Sequence, residues 1–267
     1  MKFPFTFYMS IFKAMKGLNE MDNHTLASMI TQRKSIRSYT ATPLLPEVLE
    51  DILSFAVKAT PLFPEFKTVF RVLNRKEIAC VCPLSAPHYL AIYSERSPDA
   101  DLNCGFILQQ VDLYLFSKGF GACWLGMARP HESMVENTPF VILLSFGNST
   151  EPVLRASTEQ IKRKPLEEMS SPGVLPEYIQ GMRLAQSAMN KQPWFFSGDF
   201  RSCRAFSVRG KGLINIAEGW RFVDIGIALA NLYVMALSDG RTVSFRREDS
   251  IPAGTCSEYV ISCRVSE

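Results

Sequence analysis

Apolar residues recur at helical spacing near the start of the chain: Leu26, Met29 and Ile30, then Val48, Leu49, Ile52, Leu53, Ala56 and Val57. They predict short amphipathic helices over 23–33 and 47–59. β-Branched and aromatic runs predict strands at FKTVFRVLN (66–74), HYLAIYS (88–94) and FVILLSFG (140–147). Between them, 101–118 reads as a helix with an almost continuous apolar surface, stopped by Gly119 and followed by GFGACWLG (119–126). The order then returns: a helix over 177–189, a strand at CRAFSVR (203–209), and a long apolar helix over 221–238 running to Gly240. Two last strands, RTVSFRR and SEYVISCRV, follow it. Helices and strands mixed in this way predict an α+β fold. A proline-rich stretch, 148–176, is the only linker candidate. The expected organisation is a first half over 21–150, a crossing segment over 151–176 and a second half over 177–267. Residues 1–20 read as a poorly ordered extension, with Met21 as an alternative initiator.

The returning order suggests a repeat. Gly105 and Gly119 match Gly226 and Gly240 at an offset of 121, with Leu108 against Leu229 and Ser117 against Ser238. The preceding helices match at an offset of 126, Ala59 against Ala185. An ancient duplication explains this register; chance agreement of common residues is the alternative.

Composition narrows the function classes. A net charge of +3 gives no reason to expect electrostatic capture of nucleic acid or of an anionic membrane. No run reaches the roughly 20 apolar residues of a membrane helix, and MKFPFTFYMSIF lacks a small-residue cleavage site. The seven cysteines are odd in number and unevenly spaced, Cys80 and Cys82 form CxC rather than CxxC, and the three histidines stand apart. No metal site is expected, and reduced thiols in a cytoplasm are the simplest reading.

Candidate chemistry concentrates in QRKSIRSY (32–39), where Arg33, Lys34, Ser35 and Arg37 follow the first helix. Cations around a hydroxyl suit a phosphate ester, which an arginine fork grips at two oxygens. A short basic run is otherwise ordinarily a solvated face. With AQSAMNKQPWFF (185–196), GFGACWLG and IKRKPLEE (161–168), the cluster resembles the four signature stretches of the nitroreductase family of FMN enzymes. The resemblance spans 25–240.

The resemblance implies a nitroreductase-like fold and a set of roles. Arg33 and Ser35 would contact the FMN phosphate with Lys34 nearby, and Arg37 would reach the pyrimidine edge. Ser187 and Asn190 would approach the flavin or its ribityl chain. Leu125 and Gly126 would offer backbone N–H groups to the ring, and Arg163 would return to the phosphate. Gln186 stands at the family's proline and Ile161 at its second cation. Family members are intertwined homodimers, whereas here the S-x-x-N-x-Q-P-W stretch lies in the second half. Its counterparts in the first half, Pro61, Pro64 and Phe66 for Ser187, Asn190 and Gln192, lack hydrogen-bonding side chains. The counterparts of Arg33 and Arg37 are Glu159 and Arg163. The chain is thus similar to a single-chain branch of the family, a fused pseudo-dimer with one working FMN site, for which a monomer suffices. The implied activity passes hydride from NADH or NADPH through FMN to a small acceptor such as a nitroaromatic or quinone. A flavin-binding module without turnover and a structural protein without flavin are the alternatives.

Overall fold

The computed structural model describes residues 22–81, 83–209, 219–249, 251 and 257–267. The N-terminal extension and Cys82 lie outside them. Helix α1 (Asn23–Gln32) starts where the Asp22 side chain accepts from the His24 N–H at 3.1 Å. Helix α2 (Pro46–Lys58) has proline in its first turn. Strands β1 (Val69–Leu73), β2 (Ile78–Cys80) and β3 (His88–Tyr93) lead to helix α3 (Pro98–Ser117). Strands β4 (Gly121–Leu125), β5 (Ala128–Pro130), β6 (Met134–Val135) and β7 (Thr138–Gly147) complete the first half. The second half holds helix α4 (Ile179–Leu184), strands β8 (Trp194–Gly198) and β9 (Ser202–Val208), helix α5 (Arg221–Ser238), and strands β10 (Thr242–Arg246) and β11 (Ser257–Ser266).

The anticipated α+β mixture is present, with two main sheets. One runs β1-β3-β7-β4 and the other β8-β9-β11-β10, every pair antiparallel. The short strands β2, β5 and β6 belong to the first half alone. Several boundaries differ from expectation, two of them for a reason visible in the fold. Helix α3 begins at Pro98, not at 101, because Ser97 caps it and its first turn is polar. Helix α4 stops at Leu184, five residues before 189, because the chain beyond turns into an irregular loop.

Helices α3 and α5 cross at the centre of the molecule, and glycine sets their separation. A Cβ on Gly105 would lie 2.1 Å from the Val223 carbonyl oxygen, and one on Gly226 would lie 2.1 Å from that of Leu102. Only glycine permits so close a backbone approach. Both helices are buried along most of their length, yet both carry polar side chains that tie down neighbouring loops. Asn103 Oδ1 on α3 accepts from the Leu62 and Phe63 N–H groups at 2.8 and 3.0 Å. The Asp224 carboxylate on α5 accepts from the Ala188 N–H at 3.0 and 3.1 Å. Gln110 Nε2 donates to the Thr60 carbonyl at 2.8 Å, and Asn231 Nδ2 to that of Gly181 at 2.9 Å. Among the described residues, α5 is the one helix long and apolar enough to cross a membrane, and 72% of it is buried inside the fold.

Candidate functional site

The site starts where α1 ends. Arg33 adopts extended backbone at the helix C-terminus (φ −64°, ψ 146°), and the chain from 33 to 39 becomes a short strand-like connection. It is clamped on both sides. Ser35 pairs in parallel with Ala122 of β4, while Arg33 and Tyr39 pair antiparallel with Leu154 and Ser149. The Ile36 side chain is fully buried against Gly121, where a Cβ would come within 2.7 Å of it. Alternation along an extended chain then places Arg33, Ser35 and Arg37 opposite Ile36. This small apolar anchor fixes the basic cluster against the edge of the first sheet.

Arg33 does not face solvent. Its side chain is 4% exposed, and its Nε lies 3.0 Å from Oδ2 of the fully buried Asp112 on α3. Its Nη1 donates to Gln186 Oε1 at 3.2 Å, and its guanidinium sits 5.2 Å from the centre of the Phe116 ring. Nη2 is buried without an acceptor. Burial pushes the Asp112 carboxyl up, and the Arg33 charge pulls it back down. Removing either partner would strand the other charge, at roughly 3–5 kcal/mol. Gln186 Nε2 donates to both Asp112 Oδ2, at 3.3 Å, and Gln109 Oε1. The residue at the family's proline position therefore links the second half to the buried ion pair.

The segments 161–165 and 185–192 are knitted together beside it. Arg163 donates from Nε to the Ala185 carbonyl at 2.9 Å and from Nη2 to that of Leu184 at 3.0 Å. Its Nη1 reaches the Lys162 carbonyl at 2.8 Å and Asn190 Oδ1 at 3.0 Å. Asn190 Nδ2 returns to the Lys162 carbonyl at 3.1 Å, and Ser187 Oγ accepts from the Gln192 N–H at 2.9 Å. Met189, Asn190 and Gln192 have φ of 50°, 56° and 50°, a left-handed backbone that costs about 1–3 kcal/mol per side-chain-bearing residue. These hydrogen bonds, and the hold of Asp224 on Ala188, keep the loop in that conformation.

Of the anticipated residues, the fold brings Arg33, Arg163, Ser187 and Asn190 into one network, bridged by Gln186. Ser35 lies on β4 at its edge. Lys34 turns away to Glu151, 3.4 Å distant, and Arg37 is exposed, close enough to Cys123 to oppose the upward push of burial on that thiol. Leu125 ends β4 and Gly126 follows it, further along the strand from the pairing of Ser35 with Ala122. Gly126 is small because Trp220 lies against it: a Cβ there would be 2.9 Å from the indole Nε1.

Three contributors were not anticipated. Asp112 and Asp224 had a signal, each a lone carboxylate inside an otherwise apolar helical run. Arg155 had none. Its backbone N–H donates to the Gln32 carbonyl at 2.7 Å and its Nε to that of Arg33 at 2.8 Å. Burial and the neighbouring Arg33, Arg155 and Arg183 charges lower the Arg163 guanidinium to about 10. Arg33, Arg155 and Arg183 thus lie near Arg163, and of the four only Arg33 pairs with the buried Asp112, a gathering of positive charge suited to a bound anion. Two surface clefts away from this network, one around His24 and Gly240 and the other around Pro172 and Gln180, have no lysine or arginine in their walls.

The family model described as "Putative TM nitroreductase" matches residues 25–236. The solved structure of a "putative nitroreductase" from Thermotoga maritima is similar over 94% of this chain and 96% of its own, at 22% identity and a TM-score of 0.63. At that identity the likeness speaks for the fold. A nitroreductase with bound FMN from Desulfitobacterium hafniense covers 54% of this chain and 100% of its own at 15% identity, with a TM-score of 0.40, too loose to carry an argument. No curated protein matches the sequence. With the family model matching most of its length, the chain belongs to this nitroreductase family.

Proposed function

We propose that the chain is an FMN-dependent oxidoreductase that takes hydride from NADH or NADPH and passes it to a small acceptor such as a nitroaromatic or quinone. The observation that carries the reading is the arginine cluster, in which family-type segments from both halves converge on one positively charged point. The residues suit the cofactor. Arg33 keeps a buried Nη2 without an acceptor, and Arg163 lies near the charges of Arg33, Arg155 and Arg183. Ser35 and the arginines would hold the phosphate, Ser187 and Asn190 the ribityl side, and the Leu125 and Gly126 N–H groups the ring. Arg37 would stabilise negative charge at the pyrimidine edge. Bound there, FMN would supply the hydride-accepting and hydride-donating chemistry, and the protein would orient and tune it.

A duplicated chain with a single working site forms part of the same proposal. Two features support it: both main sheets share one strand order, and the Gly105 and Gly226 contacts are reciprocal, each glycine meeting the residue three before the other. Asn103 and Asp224, 121 positions apart, hold loops 126 positions apart at Leu62 and Ala188. At the counterpart of the Gln186–Asp112 contact, Tyr233 OH donates to Thr60 Oγ1 at 3.0 Å, and no charge pair is present. The crossing segment, by carrying Arg155 and Arg163, completes the working site.

The test is an absorbance spectrum of the protein after incubation with FMN and desalting, followed by anaerobic NADH or NADPH. Retained flavin that bleaches supports the oxidoreductase. Retained flavin that does not bleach favours a binding module, and no retained flavin overturns both.

A further inference from the structure

Arg37 is exposed, meets no acceptor among the described residues and stands apart from the cations packed between the two halves, most of which are already engaged by the protein. Lys34 pairs with Glu151. Arg163 directs all three of its nitrogens at carbonyls and Asn190. Arg183 donates from Nε to the Lys164 carbonyl at 2.7 Å and from Nη2 to that of Arg163 at 3.4 Å. Arg33 is held by Asp112 and Gln186, with only Nη2 left over. These residues set the field of the site, but their forks are not open.

Arg155 differs. Its Nε caps the C-terminus of α1 through the Arg33 carbonyl, an ordinary role for arginine at a helix end. Capping uses one nitrogen. Among the described residues, Nη1 and Nη2 meet no acceptor, and the side chain is only half-buried. The anchored Nε fixes the orientation of the planar group, so an approaching oxyanion meets a fork already ordered. Its charge also falls within reach of both Arg33 and Arg163: the Arg33 charge lowers Arg155, and the Arg155 charge in turn lowers Arg163.

We infer that Arg155 is the residue whose open fork grips the phosphate of the flavin, and that it sets the preference of the site for FMN over unphosphorylated riboflavin. Arg33 and Arg163 then act as buried structural charges that favour the same anion at longer range. This inference rests on the flavin reading above, and its test separates the two.

FMN and riboflavin are titrated separately into wild type, Arg155→Ala and Arg155→Lys, following the quenching of flavin fluorescence. Wild type is expected to prefer FMN. Arg155→Ala is expected to weaken FMN by about 10- to 150-fold, the range of charge-assisted hydrogen bonds, and to leave riboflavin within about twofold. Arg155→Lys, a point charge without a fork, is expected to recover part of the loss. Riboflavin binding reports whether the variant remains folded. Equal loss of both ligands would make Arg155 a helix cap only and overturn the inference. Unchanged FMN binding in Arg155→Ala, or no preference for FMN in wild type, would also overturn it while the flavin reading stands. Failure of wild type to bind either flavin would remove the flavin reading itself.

Discussion

Asn103 and Asp224 perform the same task with different chemistry. Each accepts backbone N–H groups of a loop that follows a helix, yet the amide is neutral and the carboxyl is buried at 3% exposure. Burial pushes Asp224 up to about 8, and the Ala188 N–H pulls only partly against it. A folded-state value above the unfolded one means that the folded protein holds the proton more tightly. The stability that Asp224 contributes is therefore complete below about pH 4 and is lost as pH rises through about 8. Asp224→Asn keeps the acceptor and removes the titration. Chemical denaturation from pH 4 to 9 should show the variant gaining on wild type by on the order of 2–5 kcal/mol. Parallel profiles would mean that the carboxyl is not buried as described. The position of the basic cluster was legible in QRKSIRSY itself. Its ion pair was not, because Asp112 lies far along the sequence and its apolar neighbours record burial without naming the partner.

At the scale of elements, apolar periodicity located most helices and strands, and 221–238 coincides with α5. It failed where polar chemistry decides a boundary. Ser97, Pro98 and the acidic Asp99 and Asp101 start α3 with capping rather than apolar residues. Beyond Leu184, Asp224 holds the loop in a conformation that no local propensity favours. The two- and three-residue strands β2, β5 and β6 are too short to leave a periodic signal. The crossing of α3 and α5 makes a sharper claim. Ala at Gly105 or at Gly226 drives a methyl group into a carbonyl 2.1 Å away, so the helices must separate. Overpacking of this kind costs about 1–3 kcal/mol, occasionally more. Because the contacts are reciprocal, Gly105→Ala and Gly226→Ala should lower the thermal midpoint by similar amounts. A neutral effect at either position would refute the close approach.

The whole molecule joins two sheets of one strand order across two reciprocally packed helices, and its charged site draws on both halves and on the segment between them. Under the proposed reading, a flavin site that needs all three parts is not repeated in the other half. The positions offset by 126 and 121 hold Pro61, Pro64 and Phe66, and a neutral Thr60–Tyr233 contact where the charged site has Gln186 and Asp112. The first half supplies the basic turn and the edge strand, and the second supplies the strained loop. On that same proposal, this division places a whole flavin site within one chain.

The most direct measurement is flavin stoichiometry, with FMN released from desalted protein and quantified against chain concentration. The account predicts one FMN per chain, falling to none when Arg33 and Arg155 are both replaced by Ala. Two FMN per chain would contradict the single working site, and no FMN would contradict the assignment of the arginine cluster to a flavin phosphate.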